Sequence, residues 1–147
     1  MRILHIVVGS GCLGATAAAA LVGIWAWYRN PRARPFWWLL RASQGLLVLE
    51  ALLGGIWEIS PHHRSSSLHI IYGVVPILVS FVAEQLRISS AQMVLDARGF
   101  DSAAAVGQLP ESEQRVVVQT IIQRELGVMV LAAIVMTVLV VRAWMTG

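Results

Sequence analysis

Residues 68–87 read LHIIYGVVPILVSFVAEQLR, and this stretch decides the fold of the chain. It is long and apolar enough to cross a lipid bilayer as an α-helix, which takes about 20 mostly apolar residues. Its small and polar residues recur at helical spacing, so a helix places them on one face. Because lipid cannot satisfy polar groups, we predict that this face packs against other helices. The face consists of His69, Gly73, Pro76, Ser80 and Arg87, flanked by Tyr72 and Glu84.

The composition of the whole chain is that of a membrane protein. Of its 147 residues, 57% are hydrophobic and only 13% are charged, against about 25% charged in soluble domains. The mean hydropathy is +0.71. All 11 basic residues are arginines, and they lie in short loops or beside apolar stretches, a pattern typical of membrane topology and not of a nucleic-acid surface. We therefore expect the lipid bilayer as a partner and no nucleic acid.

Four apolar stretches predict four membrane-spanning helices, over residues 3–28, 36–59, 68–87 and 126–144. The first is longer than the apolar region of a signal peptide, so we expect it to be retained. Residues 88–125 keep a helical pattern on both sides of a predicted helix end at Gly99 and a predicted helix start at Pro110. The predicted fold is an all-α integral membrane four-helix bundle with a cytoplasmic helical hairpin that extends the third and fourth helices.

The arginines predict the orientation of the bundle. Eight of them belong to the loop after the first span or to the hairpin side, and three belong to the opposite side. By the positive-inside rule, the hairpin faces the cytoplasm and both termini face outward. We predict a multi-pass protein of a bacterial cytoplasmic membrane.

Small residues recur every four positions in the first span, which predicts close packing of that helix against another. The single cysteine, Cys12, lies in the same span and is expected to be buried. The small residues are Gly11, Ala15, Ala19 and Gly23.

Two histidines are predicted to lie at similar depth near the outer face. His5 is near the outer start of the first span and His69 near that of the third, and these two spans run parallel. Two imidazoles on facing helices are the ligand set of a six-coordinate haem b. Glu50, in the outer half of the second span with space beside it at Gly54, is a protonatable group for a haem or quinone site, or a third ligand of a non-haem metal site. Structural packing is the alternative interpretation of the two histidines and Glu50.

Other residues near the outer face complete the candidate site. Arg142 and Arg64 are candidates to bind haem propionates, and Tyr72 lies where Pro76 frees a backbone carbonyl. His62 and His63, adjacent in a loop, are expected to be solvated. The sequence contains no motif of a catalytic nucleophile, a zinc protease or a phosphate-binding loop, so we do not expect an independent enzyme.

The arrangement of four spans with His5 and His69 near the outer ends of two parallel helices resembles one half of haem A synthase. The resemblance covers most of the chain but depends on architecture and two histidines. The halves of that family hold their ligands on the second and fourth helices, whereas His5 and His69 belong to the first and third. The resemblance therefore implies haem binding at these two residues and no catalytic role.

Three functions follow as hypotheses. The first is a small b-type haem protein that transfers electrons at the outer face, with quinone as a possible partner. The second is a non-catalytic accessory or assembly subunit that packs against a larger respiratory or transport complex. The third is a proton or solute pathway along the polar face of residues 68–87, which a chain of this length would form as a homo-oligomer.

Overall fold

Five α-helices make up nearly all of the described chain in the computed structural model, which describes residues 2–29, 34–59 and 66–147. No β-strand occurs within these ranges, so the predicted all-α class is confirmed. Four of the helices are long and apolar enough to cross a membrane. The helices are α1 (Arg2–Arg29), α2 (Arg34–Glu58), α3 (Ser67–Ala97), α4 (Ala103–Val106) and α5 (Glu111–Thr146).

The two later long helices exceed the predicted spans. α3 continues past residue 87 to Ala97, and α5 begins at Glu111, well before residue 126. The short α4 lies between them, where the sequence pattern breaks up. Val106 of α4 packs with Leu95 of α3 and Val117 of α5 in a small core of its own.

The bundle has an up-and-down arrangement in which α1 packs against α2 and α5, and α5 packs most extensively against α3. α2 and α3 contact each other least among these neighbours. The starts of α1 and α3 and the end of α5 meet at one end of the bundle, where Ser66 Oγ lies 3.0 Å from the carbonyl oxygen of Thr146. We call this the histidine end, after His5 and His69. The opposite end, which holds Arg41 and Arg87, is the arginine end.

Buried residues on α1 do not follow the predicted four-residue spacing. The predicted face is correct at Ala19 and Gly23, but Gly11 is exposed, and a Cβ placed there would meet no atom within 4 Å. An α-helix has 3.6 residues per turn, so a strict four-residue spacing drifts by about 40° per step around the helix. Residues spaced alternately by three and four positions stay on one face of the helix. The buried line accordingly consists of Cys12, Thr16, Ala19, Gly23 and Ala26.

Local sequence signals set both ends of α3. The Ser66 side chain accepts a hydrogen bond from the backbone N–H of His69 at 3.1 Å, which satisfies one of the free donors in the first turn. At the other end, Gly99 has a φ of 74°, a backbone conformation that favours glycine. The N–H groups of Gly99 and Phe100 donate to the carbonyls of Asp96 and Leu95, which is a Schellman motif. The glycine predicted to end this helix does so.

Candidate functional site

The bundle brings His5 and His69 together at the histidine end. Their ring centroids are 5.9 Å apart and the ring planes cross at 70°. The two residues belong to α1 and α3, which are diagonal neighbours in the bundle. Their side chains therefore meet across its axis, and the two rings lie next to each other rather than on opposite sides of the bundle.

Glu50 of α2 joins this pair from a third helix. Its Oε1 atom lies 3.0 Å from Nδ1 of His5, and the side chains are only 21% and 17% exposed, respectively. The other oxygen, Oε2, is buried and accepts no hydrogen bond from the described residues. Of the two histidines, His5 is the one that Glu50 contacts.

His69 is held by backbone groups of α5. Its Nδ1 atom lies 2.9 Å from the carbonyl oxygen of Ala143, at hydrogen-bond distance. Since a carbonyl oxygen only accepts, this contact places the proton of a neutral ring on Nδ1 and leaves Nε2 as the basic nitrogen. The C-terminus of α5 thus fixes both the position and the tautomer of His69.

Three glycines make room for these side chains. A Cβ at Gly9 would lie 2.7 Å from Glu50 Oε1, and one at Gly147 would lie 2.6 Å from His69 Cε1. A Cβ at Gly54 would lie 3.4 Å from His5 Cε1. The sequence indicates this for two of the three glycines, because each follows a site residue by one helical turn and so lies on the same helix face. Gly9 follows His5, and Gly54 follows Glu50. Of these two, only Gly54 is predicted above to leave space beside a site residue.

Tryptophan side chains border the site. The Trp57 ring lies edge-on to His5, with centroids 5.5 Å apart and planes at 72°. Trp144 on α5 lies near Gly9, 3.9 Å from a Cβ placed there. Neither tryptophan is among the site residues predicted from the sequence. Trp57 follows Glu50 by seven positions, which places both on one face of α2.

Tyr72 and Arg142 contact each other one turn away from His69. The Arg142 guanidinium carbon lies 5.5 Å from the centroid of the Tyr72 ring, a cation–π distance. Both predicted site residues therefore belong to the histidine end, on the α3 and α5 side. Arg64, His62 and His63, also considered from the sequence, lie outside the described residues.

A second polar cluster lies at the arginine end and links α2, α3 and α5. Glu84 binds Arg41 through one oxygen and Arg87 through the other, at 3.1 Å. Gln44 donates to Ser80 Oγ at 2.8 Å, and Arg87 also reaches Glu125 at 3.4 Å. The polar face of residues 68–87 thus contacts neighbouring helices, as its spacing predicts.

Within the described part of the chain, no three or more His, Cys, Asp or Glu side chains converge as a group that could hold a metal ion. The donor set at the histidine end is a pair of imidazoles with a carboxylate beside one of them. No protein-family model, curated protein or solved structure matches the chain. The proposed function accordingly depends on the site itself.

Proposed function

We propose that this chain is a multi-pass membrane protein that binds haem b between His5 and His69 and transfers electrons. Four helices of the required length and apolar character support the membrane placement. The outward side chains support it too, since large apolar residues such as Leu21, Leu52 and Phe81 are exposed along the helices. A soluble protein rarely exposes so continuous an apolar surface.

The proposed orientation places the histidine end on the outer side of a bacterial cytoplasmic membrane, with both termini. The arginine end, α4 and the adjoining ends of α3 and α5 then face the cytoplasm as a helical hairpin. The positive-inside rule supports this choice, because arginines are concentrated at that end and in its loops.

The observation that supports haem binding most directly is that the imidazole rings of His5 and His69 lie close together. An oxygen atom that can accept a hydrogen bond lies beside Nδ1 of each ring. Metal-bound histidines usually direct one ring nitrogen to the metal and the other to a carboxylate or a backbone carbonyl, which orients the ring and raises its basicity. Here Glu50 lies beside Nδ1 of His5, and the Ala143 carbonyl lies beside Nδ1 of His69.

The ring separation also suits a shared metal. Metal–imidazole bonds are about 2.0–2.1 Å long, so one metal could contact a nitrogen of each ring only if the two rings lie close together. The observed centroid distance is 5.9 Å. Glu50 is placed against His5 as a positioning residue, which favours a two-histidine haem over a non-haem metal site with Glu50 as a ligand.

Each residue of the site then has a role toward the bound group. His5 and His69 would hold the haem iron through ring nitrogens, Glu50 would orient the ring of His5, and Arg142 would supply positive charge for the propionates. Bound haem would supply one-electron chemistry. Glu50 Oε2, buried without a hydrogen-bond donor among the described residues, is the group able to take up a proton as charge changes nearby. Quinone is the proposed exchange partner.

An absorption spectrum of the purified protein tests this proposal. We expect a Soret band and a sharp α-band after reduction with dithionite, both lost in His5→Ala and His69→Ala. Glu50→Ala should retain the spectrum but bind haem about 10–100-fold more weakly, as is typical when a group that orients a metal-bound histidine is removed. The control is Glu111→Ala, which removes a carboxylate that is 79% exposed at the start of α5, away from the histidine end. A colourless, folded protein from haem-supplied cells would overturn the proposal.

The second candidate function is a non-catalytic accessory subunit of a larger membrane complex. The observation that favours it is the pair Gly11 and Gly14 on α1, where a Cβ placed on either residue would meet nothing within 4 Å. Small residues on an open helix face allow another helix to approach closely. In that case the purified protein would be colourless and would copurify with larger subunits, or with a second copy of itself.

A further inference from the structure

A groove on the surface of α1 and α5 lies at the arginine end, away from the histidine site. It is an open surface groove with a volume of about 540 Å³. The residues of α5 that line the groove all lie on one face of that helix. The lining residues are Trp27, Thr120, Gln123, Arg124, Gly127, Val128, Leu131 and Ile134.

The groove is polar at one end and apolar along the rest of its length. Thr120, Gln123 and Arg124 form the polar end, and the residues from Gly127 to Ile134 are apolar. Arg124 and Ile134 are ten residues apart in one helix, which corresponds to about 15 Å along its axis. The hydrocarbon core of a bilayer is roughly 30 Å thick, so this length matches the hydrocarbon thickness of one leaflet.

The polar end carries uncompensated positive charge. Arg87 and Arg115 each contact a glutamate, whereas no carboxylate in the described ranges lies at ion-pair distance from Arg124, and its residue is exposed. Glu125, the neighbour of Arg124, faces α3 and contacts Arg87 instead. A second cation lies close by, since Arg98 donates to Thr120 Oγ1 at 3.3 Å.

Trp27 closes the side of the groove where the polar and apolar parts meet. Its indole ring packs on Gly127, with ring atoms 3.5–3.7 Å from a Cβ placed there. Tryptophan is enriched at this depth of a membrane, where the ring is apolar and the N–H bonds to headgroups.

We propose that this groove is a binding site for one anionic phospholipid of the cytoplasmic leaflet. The phosphate group binds at Arg124 beside the Trp27 indole, and one acyl chain lies along Val128, Leu131 and Ile134. The proposal depends on the membrane placement described above but not on haem. A colourless protein would therefore leave it intact.

Native mass spectrometry of the delipidated protein in neutral detergent tests the proposal, with phosphatidylglycerol and phosphatidylcholine of identical acyl chains added in equal amounts. We expect the wild type to retain one phosphatidylglycerol, with at least about fivefold preference over phosphatidylcholine, since each basic residue near a headgroup contributes roughly that factor. Arg124→Gln should remove most of this preference, and Arg124→Lys should restore part of it. Millimolar glycerol phosphate should not compete, because it lacks the acyl chain.

The matched control is Arg115→Gln, which removes the same charge from an exposed arginine of the same helix. Its lipid preference should equal that of the wild type. Circular dichroism establishes that each variant is folded. Equal retention of the two lipids by the wild type, equal effects of Arg124→Gln and Arg115→Gln, or displacement of the lipid by glycerol phosphate would each overturn the proposal.

Discussion

At the scale of single residues, glycines in this bundle differ in what surrounds them, and the difference is not visible in their spacing. Gly23 of α1 faces the core, where a Cβ would lie 2.7 Å from Phe36 Cε2 and 2.9 Å from Val130 Cγ2. Gly11, on the same helix, faces open space. The first glycine is required by packing, whereas the second lies on an open surface of α1.

Alanine substitutions should separate these two roles. Gly23→Ala should destabilise the bundle by about 1–2 kcal/mol, because overpacking a core costs about 1–3 kcal/mol and the gain in helix propensity recovers less than 1 kcal/mol. Gly11→Ala should leave stability unchanged or slightly higher. Thermal unfolding in detergent measures both. Equal melting temperatures for the two variants would show that α1 does not pack on Phe36 and Val130 as described.

At the scale of helices, the start of α3 combines a local signal with a tertiary contact. Ser66 Oγ accepts from the backbone N–H of His69 and donates to the carbonyl of Thr146 at the end of α5. One hydroxyl therefore caps α3, joins it to α5 and fixes the backbone of a candidate haem ligand. The serines before α3 are typical N-cap residues, but nothing in the sequence indicates the bond to α5.

Ser66→Ala should destabilise the protein by about 1 kcal/mol, the usual cost of removing an N-cap side chain. Amide hydrogen exchange should be faster in the first turn of α3 and at the end of α5. Ser67→Ala is the control, because Ser67 is the first helical residue and is exposed. If both variants exchange at the wild-type rate, the cap does not hold this end of the helix.

At the scale of the whole molecule, the polar cluster at the arginine end links α2 and α3, the neighbouring helices that contact each other least. α2 and α3 have few contacts, yet Glu84 of α3 binds Arg41 of α2 and Gln44 bonds to Ser80. A partly buried carboxylate between two guanidinium groups is difficult to replace, since its loss leaves Arg41 and Arg87 close together with Glu125, 3.4 Å from Arg87, as the remaining counter-charge.

Glu84→Gln should therefore destabilise the bundle by about 1–3 kcal/mol, a range set between the values for exposed and buried ion pairs. The control is Glu111→Gln, which breaks the pair with Arg115, where the two side chains are 79% and 76% exposed. That substitution should change stability by no more than about 0.5 kcal/mol. Urea or thermal unfolding in one detergent compares the two. A larger loss in Glu111→Gln than in Glu84→Gln would contradict the role assigned to Glu84 at the arginine end.

The sequence by itself determined the four long apolar helices, the cap glycine at Gly99 and the polar face that includes Ser80 and Arg87. These features depend on local periodicity and on backbone preferences, which a single segment carries. It also indicated that His5 and His69 lie at one end, because chain direction sets depth. Only the tertiary structure decided that their rings meet, that Glu50 lies against His5, and that Gly9 and Gly147 leave room for these side chains. The physical reason is that such contacts depend on the rotation of each helix about its axis, which packing against the other helices sets.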